Sequence, residues 1–124
     1  MAKFKLAESK IMMSLYDIIK YQILVYCYTN RIQLNDSDLE TLTLLATVGE
    51  TELTEFCLLC TEKRIFKSTQ VVRNCVVKLE KLNLISKDGS NKKKKIVISP
   101  LMKVIESGNI MLVNKFIYFD SQNA

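Results

Sequence analysis

Histidine and tryptophan are absent from this chain of 124 residues, and glycine (three) and proline (one) are scarce. Without an imidazole the chain itself supplies no Ser–His–Asp or Cys–His catalytic pair and no histidine metal ligand. Low glycine and proline, with 48% hydrophobic and 25% charged residues, exclude collagen-like, linker-like and broadly disordered chains. We therefore expect one domain, residues 1–124, with one core, no enzymatic activity and no cofactor.

Long uninterrupted apolar runs are also missing. The longest apolar stretch, residues 11–28, is interrupted by Asp17, Lys20 and Gln22 and falls short of the about 20 apolar residues that cross a bilayer. The first residues mix acids and bases instead of following the charged-then-apolar order of a secretory signal. We expect a cytoplasmic protein, located in the host cytoplasm or a virion if the chain is phage-encoded.

Charge is distributed unevenly along the chain. Residues 1–62 hold five Lys and Arg against nine Asp and Glu, a net charge of −4, whereas residues 63–124 hold thirteen against four, a net charge of +9. A basic half on a small domain indicates a polyanionic partner, with nucleic acid first and an acidic membrane surface second. A solvated basic face gives the same pattern, so charge alone does not choose.

Helical periodicity predicts three consecutive helices in the middle of the chain. Small polar residues before Leu39 favour a helix over residues 36–48, and a second helix is predicted over residues 51–61. Ser68 is a suitable cap for a third helix that ends near Asn83. One face of this third helix is apolar and is expected to be buried, namely Val72, Cys75, Val76, Leu79 and Leu82.

Two hairpins are predicted after the third helix. Residues 84–87 and 93–99 are β-friendly and flank the turn residues 88–91, and lysines gather at this turn and on the returning strand. Residues 101–106 and 110–119 flank Ser107-Gly108-Asn109 and predict a second, C-terminal β-hairpin, whose last strand is apolar on both faces.

Three helices followed by a hairpin, with Leu79-Glu80-Lys81-Leu82-Asn83-Leu84-Ile85 at the junction, resemble a winged helix-turn-helix domain. MarR-type regulators and phage replication or regulatory proteins are similar. Asn83 stands where such families usually have Gly, and residues 62–67 form a longer turn than the simplest members have. The resemblance implies an α+β fold, in which a three-helix core and a β-hairpin wing occupy about residues 34–99. Residues 1–33, apolar and helical or extended, and 100–124 flank this core and are expected to serve oligomerisation.

The resemblance implies a non-enzymatic double-stranded DNA-binding protein, a transcriptional regulator or a phage-type replication or regulatory factor. The third helix, about residues 69–82, would lie in the major groove, where Arg, Gln and Asn read base edges and Lys contacts phosphates. The lysine-rich wing would neutralise phosphates or enter a minor groove. The implied DNA-binding residues are Ser68, Thr69, Gln70, Arg73, Asn74, Lys78, Lys81, Lys87, Lys92, Lys93, Lys94 and Lys95.

The four cysteines admit a metal or redox interpretation and a structural one. Cys57 and Cys60 form a single Cys-x-x-Cys, but they share a predicted helix face with Leu53 and Phe56 and a second such pair is missing. We therefore interpret them as core residues and expect no metal site. The acids Asp36, Asp38 and Glu40 are similarly interpreted through helix capping and the helix dipole rather than as a metal cluster.

The apolar flanks exceed what a three-helix unit covers, so a homodimer or another protein assembly is expected, without a membrane partner. The alternative function is a phage virion or assembly protein, such as an adaptor, connector or cargo component, that uses the winged helix for protein contacts. A polar helix face and a lysine-rich loop are also common on ordinary surfaces. Binding to duplex DNA separates these alternatives.

Overall fold

The computed structural model describes residues 3–89 and 94–120, which form an α+β fold with four α-helices and two small sheets. The helices are α1 (Leu15–Thr29), α2 (Asp36–Val48), α3 (Leu53–Glu62) and α4 (Thr69–Lys81). A short 3-10 helix spans Pro100–Met102. The strands are β1 (Lys3–Ile11), β2 (Thr51–Glu52), β3 (Ile85–Asp88), β4 (Lys95–Ile98) and β5 (Leu112–Asp120).

The helices begin where small polar residues accept the first free backbone N–H groups. Asn35 and Asp38 form a reciprocal capping box at the start of α2, and the Ser68 hydroxyl accepts a bond of 3.4 Å from the Val71 N–H at the start of α4. The predictions of a helix over residues 36–48 and of a helix capped by Ser68 are confirmed. The longest apolar stretch of the sequence, residues 11–28, forms α1 over most of its length.

Three helices end in the same way, with a non-glycine residue in the left-handed conformation followed by an apolar residue. The left-handed residues are Arg31, Arg64 and Asn83, with φ of 59°, 60° and 61°. The closing bonds run from the N–H groups of Ile32, Ile65 and Leu84 to the carbonyls of Cys27, Cys60 and Leu79, at 2.8, 3.0 and 2.9 Å. These bonds satisfy carbonyls that a helix end leaves free and turn the next side chain toward the core.

The second helix is shorter at its start than predicted. Thr51 and Glu52 are paired with Ile96 and Lys95 of β4, so they form β2 and α3 begins only at Leu53. The Leu53 N–H also donates to the carbonyl of Lys94 at 2.8 Å. The strand order β2-β4-β3 therefore places the returning strand of the predicted hairpin in the middle of the sheet and attaches it to the α2–α3 connection.

The predicted C-terminal hairpin is wrong. Residues 101–103 lie in a 3-10 turn that ends with Lys103 at φ 51°, so they are not available as a strand. The Ile105 N–H donates a hydrogen bond to Gln22 Oε1 at 2.8 Å, and the Ile105 carbonyl accepts one from Gln22 Nε2 at 3.0 Å. These two bonds attach this segment to α1. The last apolar segment instead becomes β5 and pairs along nine residues with β1, the N-terminal strand.

The core lies between the four helices and the three-stranded sheet. α2 is buried continuously from Thr41 to Ala46, and the hydroxyls of Thr41 and Thr43 bond to carbonyls one turn back, at 2.7 and 2.8 Å. α1 adds Ile19, Ile23 and Cys27 to the same cluster. All four cysteines are buried and unpaired, which confirms the structural interpretation of Cys57 and Cys60, and burial raises the pKa of the Cys60 thiol to about 12.

Substitutions of Asn83 test the left-handed closure at the end of α4. We expect Asn83→Val to lower the unfolding free energy by about 1–2 kcal/mol, because a β-branched side chain is strained in the left-handed conformation. Asn83→Gly should preserve stability to within about 0.5 kcal/mol, since Gly adopts this conformation freely. Urea unfolding of the two variants measures the difference. Equal stability of the two would contradict the closure described above.

Candidate nucleic-acid interface

α4 buries one face and presents a narrow stripe to solvent. Val72, Cys75, Val76 and Leu79 are at most 7% exposed, as the periodicity predicts. On the opposite side, successive helical turns place four exposed residues in line: Gln70, Asn74, Val77 and Lys81. We call these four residues the α4 stripe. Val77, with 42% of its surface exposed, was assigned to neither the buried nor the exposed face from sequence.

The α4 stripe contains one internal hydrogen bond and is flanked by two cations that contact neighbouring helices. The Gln70 amide Nε2 donates to Asn74 Oδ1 at 3.1 Å. On the side nearer α3, the half-buried Arg73 donates through Nη2 to the hydroxyl of Thr54 at 3.3 Å. The contact of Arg73 is with a neutral oxygen, so its full positive charge remains beside the stripe.

Lys78, on the side nearer α2, is in a different electrostatic situation. Its Nζ lies 2.5 Å from Oδ2 of Asp38, a carboxylate that is only 3% exposed. This hydrogen bond raises the pKa of Lys78. Lys78, which was predicted to contact phosphate, is therefore paired with an acid that lies forty residues earlier in the chain. No local pattern in the sequence indicates this pairing.

Asp38 joins α2 to α4 through several bonds. It accepts the Asn35 backbone N–H at 3.2 Å as part of the capping box, which confirms its interpretation as a capping residue. Its Oδ1 also accepts the Cys75 thiol at 3.4 Å, and burial together with this contact raises the pKa of Cys75 to about 12. With the Lys78 bond, one buried carboxylate thus receives donors from the start of α2 and from the middle of α4.

Glu40 performs a comparable role toward α1 and is not a cap. Its carboxylate forms an ion pair with Lys20 and accepts a hydrogen bond of 2.5 Å from the Tyr16 hydroxyl. These two interactions lower the pKa of Glu40. Among the described residues no group of three or more Cys, Asp and Glu is placed to hold a metal ion. Asp38 and Glu40 act here as contacts between helices.

In the described part of the β3–β4 hairpin, two lysines lie close to acids. Lys87 forms an ion pair with Glu80 at 2.6 Å, and Lys95 lies opposite Asp88 on one side and Glu52 on the other. Lys94 and Lys95 are exposed. Lys92 and Lys93 lie outside the described residues. Ser68 and Thr69, at the start of α4, are exposed and half-buried respectively, and the Ser68 hydroxyl is used as the helix cap.

The turn between α3 and α4 contributes cations that sequence analysis did not assign to the interface. Lys63, Arg64 and Lys67 are exposed, and no carboxylate in residues 3–89 or 94–120 pairs with them. They immediately precede the α4 cap, so they lie at the N-terminal end of the α4 stripe. The signal was present in the sequence as three cations within five positions before Ser68.

Removing the Asp38 carboxylate should loosen α4 as well as α2. We expect Asp38→Ala to lower the unfolding free energy by about 2 kcal/mol, because it removes one half of the capping box and leaves donors from two helices without their acceptor. Lys78→Ala should cost less, about 1 kcal/mol, because Asp38 then loses one donor but keeps its bonds from Asn35 and Cys75. Chemical denaturation measures both. A larger loss for Lys78→Ala than for Asp38→Ala would contradict the central role of the carboxylate.

Comparisons with protein-family models, curated proteins and solved structures found no match to this chain. In the described part of the chain, none of the helices combines the length and the apolar character needed to cross a bilayer. The candidate interface is therefore defined by its own geometry: the α4 stripe, Arg73 beside it, and the three cations of the α3–α4 turn.

Proposed function

We propose that this protein binds double-stranded DNA as a winged helix-turn-helix domain, with α4 in the major groove and the β3–β4 hairpin as the wing. Three helices followed by a hairpin are the order of elements in such a domain, and α2, α3, α4, β3 and β4 follow this order. β2 adds support because it pairs with β4 and ties the wing to the helices. A helix of about 10–12 Å diameter fits a major groove about 12 Å wide.

The observation that carries this proposal is the set of cations on and beside α4 that lack acidic partners among the described residues. Lys63, Arg64 and Lys67 lie before the helix, Arg73 beside its middle, and Lys81 at its end. Elsewhere on the same surface, Lys78 and Lys87 are neutralised by acids. Unneutralised cations at both ends of a polar helix face suit phosphates on either side of a groove.

The residues between these cations have the chemistry of base readout. Gln70 and Asn74 each carry an amide that can exchange their mutual bond for a bidentate contact to adenine. Arg73 can leave the Thr54 hydroxyl for the two acceptors of guanine at small cost, since that contact is an exposed hydrogen bond of 3.3 Å to a neutral acceptor. Val77 supplies an apolar surface of the kind that meets a thymine methyl group. As a non-enzymatic binder the protein would act by occupying its site, as transcriptional regulators and replication factors do.

A salt series tests the phosphate contacts. Binding to a random-sequence duplex, followed by fluorescence anisotropy, should weaken steeply as salt rises, and Lys67→Ala and Lys81→Ala should each reduce the log–log slope by about 0.9. Lys78→Ala should change the slope less, because Asp38 already neutralises this amine. Lys103→Ala is the matched control, since Lys103 is equally exposed but lies in the segment attached to α1. No binding at low salt, or equal effects of all four variants, would contradict the proposal.

Substitution of Arg73 tests sequence readout. On a site selected from a random pool, Arg73→Ala should lose about 1–3 kcal/mol of binding free energy, and much less on a scrambled duplex at the same ionic strength. Lys81→Ala should weaken binding to both duplexes alike, because a phosphate contact carries no base information. If Arg73→Ala lowered affinity equally for both duplexes, Arg73 would contact phosphates and the readout role would be wrong.

A further inference from the structure

β1 and β5 form a two-stranded antiparallel ribbon that extends away from the helices. Nine residue pairs, from Lys3 with Asp120 to Ile11 with Leu112, give it a length of about 30 Å. Among the described residues, the Tyr21 hydroxyl of α1 donates to Asn114 at 3.3 Å near the base of the ribbon. Isolated two-stranded ribbons are at best marginally stable in water. An additional partner is therefore expected along it.

The ribbon is apolar on both faces toward its far end. Leu6 and Ile117 are cross-strand neighbours on one face, with 61% and 69% of their surfaces exposed. Phe116, on the other face, is 66% exposed, and Tyr118 on that face is 48% exposed. Exposed apolar side chains on both faces, together with outer edges that pair with no other strand among the described residues, are the features of a ribbon that another strand completes.

The two edges of the ribbon differ in charge. β1 contains three lysines, of which Lys5 and Lys10 are exposed among the described side chains, and lysine on an edge strand opposes pairing with another strand. β5 contains a single lysine, Lys115, and it lies 3.9 Å from Glu8 of the neighbouring strand. The edge of β5 is therefore the one suited to receive a further strand.

We propose that β5 pairs antiparallel with β5 of a second copy of this chain, giving a continuous four-stranded sheet β1-β5-β5-β1 across a two-fold axis. In an antiparallel pair, two residues that lie opposite each other point to the same face of the sheet. A two-fold axis perpendicular to the sheet keeps this face unchanged, so it must pass beside a residue that lies opposite its own copy. Centred on Ile117, the pairing sets Ile117 against Ile117 of the second copy and Phe116 against Tyr118. This register sets apolar and aromatic side chains against each other beside the axis, places Lys115 opposite Phe119 of the second copy, and brings no two lysines opposite each other.

A second copy is favoured as the occupant because the strand complements itself. The β5 run from Phe116 to Phe119 consists only of apolar and aromatic residues. The same run in an antiparallel partner strand therefore presents side chains of the same kind. The two lysine-bearing strands would then lie at the outer edges, where they would prevent addition of further chains and close the assembly as a dimer. This inference is independent of DNA binding.

Sedimentation equilibrium of the full chain over a range of concentrations tests the proposal. The wild-type protein should be a reversible dimer, and Ile117→Lys should weaken dimerisation by about tenfold or more, because like charges would face each other across the axis. Leu6→Lys is the matched control. Leu6 is the cross-strand neighbour of Ile117 and similarly exposed, but it lies on the outer edge, so this variant should remain dimeric.

Cross-linking tests the register itself. The four native cysteines are buried, so Ile117→Cys introduces an exposed thiol that should meet its copy across the axis and form an intermolecular disulfide under mild oxidant. Leu6→Cys should remain largely monomeric on a non-reducing gel. A wild-type monomer at every concentration would overturn the proposal. So would a dimer that Ile117→Lys and Leu6→Lys weaken equally, or equal cross-linking of both cysteine variants, with thermal unfolding showing that each variant is folded.

Discussion

The buried carboxylate of Asp38 is the contact on which the placement of α4 depends. It closes the first turn of α2 and accepts both the Cys75 thiol and the Lys78 amine from α4. A nearly buried charge is stable only when its lone pairs are filled, so the two helices must keep one relative position. That position sets which face of α4 is exposed, and hence which side chains form the α4 stripe. Arg73 and Thr54 set a similar but weaker contact between α4 and α3.

The second constraint is the pairing of β4 with β2, which draws the hairpin onto the helices. β4 is central in its sheet and inserts Ile96 and Ile98 into the core. As a result the base of the β3–β4 hairpin is fixed to the helices, and Lys95 lies opposite Glu52 of β2 and Asp88 of β3. Exposed positive charge therefore lies at the α3–α4 turn and along α4, in addition to Lys94 and Lys95 of the hairpin.

Local signals in the sequence predicted much of the fold, and long-range pairings account for the errors. Caps at Asn35 and Ser68, and the apolar period of α4, act within one or two helical turns and are legible from residues alone. The partner of β5 was misassigned because the pattern of a strand indicates that it pairs but does not indicate its partner. Ser107-Gly108-Asn109 is typical of a turn, so pairing with the segment just before it was predicted. The Lys78–Asp38 pair was missed for the same reason, since forty residues separate its members. Lys63, Arg64 and Lys67 could have been identified, because their density before a helix cap is itself a local signal.

Two surfaces of the protein thus have separate proposed roles: α4 with its preceding turn for duplex DNA, and the β5 edge for a second copy. The most direct test of the first is a nuclear magnetic resonance titration of the isotopically labelled chain with a short duplex. The account predicts that amide shift changes concentrate on residues 63–81 and the β3–β4 hairpin and leave the β1–β5 ribbon unchanged. Changes confined to the ribbon, or none at low salt, would contradict it.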